Sequence, residues 1–267
     1  TTYSLSFDDL FATPDGSEYG LTPDGVVYFD ASGVPHTIAL SSPGRLMGVA
    51  PDGTVYLNID NESSASGLSI VTLKSGVATI HPLEHGFTDL LQIVFAADGT
   101  AFMTLQAGGG DGGLGVLDTD TISTPVTDPS DGSFSFQLTA AGNVGYLVTT
   151  TSTGTQVRAM SSDGTEVIAQ EIPSSADAVA AAVAVGPDGT LYLALAETVQ
   201  NGSTPAPVTH IWAVTGGSAT EILTNDGAPL ALTVSPGGDL WATLYDSVNG
   251  NVVTRLIAQS LGGVTSL

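Results

Sequence analysis

Val183-Ala184-Val185-Gly186-Pro187-Asp188-Gly189-Thr190-Leu191-Tyr192-Leu193 packs an apolar run, a turn and a second apolar run into eleven residues. Glycine supplies the positive φ that a tight hairpin demands, and an aspartate before it can hydrogen-bond its own turn. Asp188-Gly189 therefore predicts a two-residue β-hairpin. Leu191, Tyr192 and Leu193 are β-formers suited to its second strand. The alanine-rich residues 176–185 would favour a helix by propensity alone. Their place ahead of the turn makes them the first strand instead.

The same pattern recurs along the chain. It reads Pro14-Asp15-Gly16-Ser17-Glu18-Tyr19, Pro51-Asp52-Gly53-Thr54-Val55-Tyr56 and Ala97-Asp98-Gly99-Thr100-Ala101-Phe102. A degenerate copy is Ala141-Gly142-Asn143-Val144-Gly145-Tyr146, and the last is Pro236-Gly237-Gly238-Asp239-Leu240-Trp241. The turn glycines at 16, 53, 99, 142, 189 and 238 are spaced by 37, 46, 43, 47 and 49 residues, so six repeats fill the 267-residue chain. A period of about 40–50 residues marks a propeller blade or a helical repeat. A second hairpin follows each first one: residues 26–29 turn at Ala31-Ser32-Gly33 into 34–38, and 211–214 turn at Gly216-Gly217 into 220–223.

Each unit is thus four antiparallel strands, and the chain is an all-β, six-bladed β-propeller of four-stranded antiparallel blades. A single domain spans 1–267, with approximate blades 1–40, 41–84, 85–130, 131–173, 174–225 and 226–267. Residues 263–267 are expected to give the last blade its fourth strand, and residues 1–7 are a candidate to pair with that blade. Trp212 and Trp241 fall at positions expected to fill the space between blades.

Four Lys+Arg against 27 Asp+Glu give a net charge of −23. Binding phosphates takes a basic surface, so nucleic acid is excluded as a partner, and an anionic membrane surface is disfavoured on the same ground. The longest apolar run is about eight residues, far short of a span, so no membrane insertion is expected. With no cysteine there is no disulfide, thiolate metal site or cysteine nucleophile. The chain starts at Thr1 without an initiator methionine or a signal segment, which suits a monomeric domain within a longer chain.

Candidate sites sit at two ends of the repeat. Asp15, Asp52, Asp98 and Asp188 occupy the first-to-second-strand turns, where their carboxylates are expected to serve the turn rather than a ligand. The opposite end collects the connections between blades and the second-to-third-strand loops, including 149–155, 174–178 and 197–208. Asp9, Asp89, Asp177 and Asp226 fall where first strands leave this end. As oxygen donors they are the residues that would hold Ca²⁺ or Mg²⁺, if a metal is bound. Arg45 is a cation expected beside them, able to clamp a carboxylate or phosphate or to neutralise Asp9 or Asp89. No nucleophile elbow, phosphate loop or His-Glu-x-x-His motif is present. Gly108-Gly109-Gly110-Asp111-Gly112-Gly113 occurs once and reads as a loop rather than a calcium repeat.

The copies Gly48-Val49-Ala50-Pro51-Asp52-Gly53-Thr54-Val55-Tyr56-Leu57 and 183–193 resemble the blade consensus of NHL-type propellers, which streptogramin-lyase-like and gluconolactonase-like proteins share. The lyases of that group use histidines and a glutamate around Mg²⁺ at the channel mouth. Here His36 and His81 map to outer fourth strands and His210 opens a third strand. Only His85 approaches the ligand end, and one histidine cannot supply an acid–base pair. Composition, rich in Ala, Gly, Thr and Asp, resembles exported actinobacterial proteins and implies a secreted or cell-surface location. The reading is a non-catalytic recognition module binding a protein, glycan or small molecule on the loop-rich face. Its alternative is a divalent-metal-dependent lyase or lactone hydrolase.

Overall fold

The computed structural model describes residues 9–13, 16–22, 25–30, 32–40, 42, 44–60, 68–83, 87–107, 112–118, 121–128, 135–151, 154–175, 178–201, 204–246 and 250–257. Two compact units divide the chain, Thr1–Asp128 and Pro129–Leu267. Among the described residues all regular structure is strand, arranged in six antiparallel sheets whose strands follow chain order.

In the first unit, sheet one is β1 (Asp9–Ala12), β2 (Glu18–Thr22), β3 (Gly25–Phe29) and β4 (Pro35–Ala39). Sheet two is β5 (Gly44–Val49), β6 (Val55–Asp60), β7 (Leu68–Lys74) and β8 (Val77–Pro82). Sheet three is β9 (Phe87–Phe95), β10 (Ala101–Ala107), β11 (Gly112–Asp118) and β12 (Thr121–Asp128). In the second unit, sheet four is β13 (Ser135–Ala141), β14 (Val144–Thr151), β15 (Gly154–Ser161) and β16 (Glu166–Ile172). Sheet five is β17 (Val179–Val185), β18 (Leu191–Asn201), β19 (Thr204–Thr215) and β20 (Ser218–Asp226). Sheet six is β21 (Ala228–Val234), β22 (Leu240–Asp246) and β23 (Asn251–Ile257), and residues 1–7 and 263–267, invoked for its completion, lie outside the described residues.

The repeated turn differs from its sequence reading by one residue. Ala50 N–H donates to Thr54 O at 2.8 Å and Gly53 N–H to Ala50 O at 3.0 Å, with Gly53 at φ +83°. The loop is therefore Pro51-Asp52-Gly53, a type I turn closed by a left-handed glycine. A two-residue loop of the Asp-Gly kind needs positive φ at its first central residue, which none of the described turn aspartates adopts. A proline at the first loop position suits the type I geometry in four of the five copies, and Ala97 takes that position in the other. The same two bonds recur at Thr13–Ser17, Ala96–Thr100, Gly186–Thr190 and Ser235–Asp239. Only the degenerate copy forms a two-residue loop, with Ala141 opposite Val144.

The aspartates are spent inside these turns. Thr54 N–H donates to Asp52 at 3.0 Å, Thr100 N–H to Asp98 at 2.9 Å and Thr190 N–H to Asp188 at 3.0 Å. Asp15 lies outside the described residues. Hydrogen bonds from the Thr100 N–H and then its hydroxyl hold the Asp98 carboxyl below its ordinary value of 3.8. A depressed carboxylate contributes stability above that ordinary value and loses it as pH falls through the lower folded one. The melting-temperature gap between wild type and Asp98→Ala is accordingly expected to be constant from pH 5 to 8. It should narrow on acidification below about 3.8, which a pH series of melts reads directly.

Alternation along central strands buries both faces. On β18, Leu191, Leu193 and Leu195 pack with Tyr146, Val148, Val157 and Ile172 of sheet four. Tyr192 and Ala194 turn the other way, onto Leu232, Leu240, Ala242 and Leu244 of sheet six. The aromatic after each turn is buried in five repeats, Tyr19, Tyr56, Phe102, Tyr146 and Tyr192 all being under 9% exposed, and Tyr19, Tyr56, Tyr146 and Tyr192 each fill such an interface. Trp241 departs from the expected pattern at 40% exposed. Tyr146 and Tyr192 point to the sheet that follows in sequence, and sheet six is the last of its unit. Trp212 is partly buried against the sheet-four interface, as expected.

Candidate functional site

Sheet four ends in a polar cavity of about 490 Å³. The start of β15, where Gly154 lies opposite Thr151 of β14, brings Gly154 and Thr155 to this end, and the exit from β16 brings Ile172, Pro173 and Ser174 beside them. Gln156, Gln170 and Glu171 complete the lining and continue it into a smaller cavity of about 200 Å³. Three hydroxyls brace the floor. Ala180 N–H donates to Thr150 Oγ1 at 3.2 Å, Thr150 Oγ1 meets Thr155 Oγ1 at 3.4 Å, and Ser174 donates to Thr155 Oγ1 at 3.1 Å. Burial of Thr155 at 1% exposure makes these bonds matter, because an unpaired hydroxyl there would keep its full desolvation cost.

The wall is tied to sheet five. Ser175 N–H donates to Glu197 Oε1 at 3.0 Å. The other Glu197 oxygen faces His210 Nε2 at 3.8 Å, while His210 Nδ1 is 2.6 Å from Glu221 Oε1. Thr224 donates to the same Glu221 oxygen at 2.6 Å. That hydroxyl, and next the imidazole, hold the Glu221 carboxyl below its ordinary value. The two carboxylates flank opposite ring nitrogens, so the cluster is a strut across three strands and not a converging ligand set.

This strut was hidden in the sequence because residues 197–208 read as a loop. They form a paired ribbon instead: Glu197 is opposite Val208, Val199 opposite Ala206 and Asn201 opposite Thr204. Alternating Thr198, Val199 and Gln200 with Pro205, Ala206 and Pro207 gave no apolar period, and only the two-residue connection at 202–203 signalled a hairpin. Once the register is known, Glu197 and His210 fall on one face, one step apart across the ladder.

The sequence-predicted site residues are placed as follows. Arg45, on β5, donates from Nη2 to the Leu90 carbonyl at 2.9 Å, tying sheet two to sheet three. Asp89 is half-buried on β9 in the first unit, and Asp226 is exposed at the end of β20 in the second. Asp9 opens β1, but its side chain, like Asp177 and His85, lies outside the described residues. Among the described residues no three His, Asp or Glu side chains are disposed to hold a metal ion. Of the remaining histidines, His36 pairs with Asp30 at 3.0 Å, and His81 is buried with Thr72 Oγ1 at 3.0 Å.

No family profile matches this chain, and no curated protein matches it. Solved structures do. The β-propeller domain of the Trilobed protease from Pyrococcus furiosus is 12% identical, over 94% of this chain and 76% of that one, with a TM-score of 0.50. A chain in the crystal structure of the mitotic checkpoint complex is 13% identical, over 92% and 74%, also with a TM-score of 0.50. Likeness at such identity is likeness of fold, and with six antiparallel sheets in chain order it establishes a β-propeller fold for this chain.

Proposed function

We propose that this chain is a non-catalytic recognition module of an exported or cell-surface protein, its six sheets the blades of one ring and its ligand held at the loop-rich end. The NHL-type likeness of the turn copies and the lysine-poor, acidic composition support that placement. The observation that carries the reading is the cavity at the end of sheet four, walled by the start of β15 and the segment leaving β16. At the other end, Asp52, Asp98 and Asp188 are engaged by their own turns and offer little to a ligand. Among the described residues the cavity is lined by amides, hydroxyls and one carboxylate, with no histidine or second acid in the lining, which suits holding a ligand better than transforming one.

A melting series tests this against metal-dependent catalysis. After chelation, micromolar Ca²⁺ or Mg²⁺ is expected to change the melting temperature no more than NaCl at matched ionic strength, since the response then comes from screening a charge of −23. A divalent ion at a hundredfold excess over its dissociation constant would instead add about 2.7 kcal/mol. Such a rise, together with turnover of a lactone or elimination substrate, would overturn the recognition reading.

A further inference from the structure

We propose that the sheet-four cavity binds a neutral polyhydroxylated molecule, a sugar or sugar alcohol. The inference takes the recognition reading as its frame, but the ligand class follows from the lining itself.

Gln156 both donates and accepts hydrogen bonds, Ser174 and Gln170 keep an acceptor oxygen beyond the bonds they donate to Thr155 and to the Glu171 carbonyl, and such groups suit hydroxyls that donate and accept. Anions are poorly served. The guanidinium bordering the smaller cavity, Arg158, is bound by Glu166 at 2.6 Å, and among the described residues no other cation lines either space. An apolar ligand would strand the Gln156 amide without a partner. The Glu171 carboxylate is exposed, where water screens it, so its attraction for an amine is weak. It remains a good acceptor for a vicinal hydroxyl pair.

The site is also held in shape before a ligand arrives. Thr155 and Ser174 are fixed by the hydroxyl chain that ends on Ala180 N–H, and the residue after Ser174 is pinned by Glu197. Prior ordering lowers the entropic cost of binding to a small polar ligand. Glu197 is accordingly a positioning residue: it touches the wall and not the cavity. A ligand of monosaccharide size, at the efficiencies usual for polar sites, is expected to bind with a dissociation constant on the order of millimolar.

Saturation-transfer NMR on the intact chain tests the proposal. The probes are D-galactose, D-mannose, N-acetylglucosamine and sorbitol, with choline chloride and sodium phosphate at matched ionic strength as the charged arms. At least one polyol should give a saturable signal at millimolar concentration. Gln156→Ala and Gln170→Ala should each weaken it about three- to tenfold, the loss of one hydrogen bond, while melting within about 2 °C of wild type. Glu197→Ala should weaken it without removing any lining group. Choline or phosphate saturating below every polyol would overturn the assignment, as would no saturable polyol signal. A polyol signal unchanged in both glutamine variants would place the sugar elsewhere and overturn it too. Failure here with a flat divalent response leaves a recognition module for another ligand class, whereas divalent-dependent turnover removes the recognition reading itself.

Discussion

Tyr192→Ala is expected to destabilise the chain by about 3–5 kcal/mol, lowering its melting temperature by roughly 10 °C. The ring is 1% exposed and fills the interface between sheets five and six, against Leu232, Leu240 and Leu244. Truncation opens a cavity that these β-sheet neighbours cannot collapse to fill. The same substitution one repeat later should behave differently. Trp241→Ala removes a larger side chain, yet it is 40% exposed and is expected to cost about 1 kcal/mol or less. Urea unfolding of both variants decides it. Equal costs would mean that Trp241 is covered as its five counterparts are.

The second large effect is steric. A Cβ on Gly25 would lie 2.3 Å from the Ile38 carbonyl oxygen and 3.2 Å from Ala39 Cα. Both are backbone atoms of β4, paired to β3 at Gly25–Ala39, and neither can retreat without opening that ladder. The residue also sits at φ +144°, which L side chains rarely adopt. Gly25→Ala is expected to cost about 3 kcal/mol or more. Gly99→Ala is the control, because its φ of +90° is similarly unfavourable but nothing lies within 4 Å of the added carbon. A cost of about 1 kcal/mol there would isolate the backbone strain from the clash at Gly25. Thermal melts of the pair separate the two contributions.

The fold was largely legible because its information is local and repeated. Pro-Asp-Gly turns at 51–53 and 187–189 punctuate the chain, and position in the repeat overrode the helical propensity of residues 179–185, which are β17. Loop length by one residue was not legible from Asp-Gly alone. The backbone hydrogen bonds show it, and the Ala97-Asp98-Gly99 copy makes them without a proline. Site information is non-local, and there the sequence was less informative. Arg45 was read as a cation for a ligand or a carboxylate, but it binds the Leu90 carbonyl, a backbone group that no side-chain pattern advertises. Gln156 and Glu171 come together only through the β15–β16 pairing, and Ser174 joins them by the path of the chain after Ile172. Thr155 carried a faint signal, lying within the 149–155 connection at the loop-rich end.

The ribbon at the end of sheet five bears on how such a chain stays dispersed. β17 leaves β18 at Val179–Ala196, and β20 reaches no further than Asp226 opposite Val208, so residues 199–206 run on as two strands alone. A bare strand edge ordinarily recruits another chain by offering a row of amide protons and carbonyls. On the outer strand of this ribbon, positions 205 and 207 are both proline. The register puts their nitrogens on the side away from β18, where an incoming strand would look for donors and find none. The β19 edge of the ribbon is thereby guarded against strand addition by two residues whose contribution is a missing hydrogen, working alongside the mutual repulsion of the chain's carboxylates.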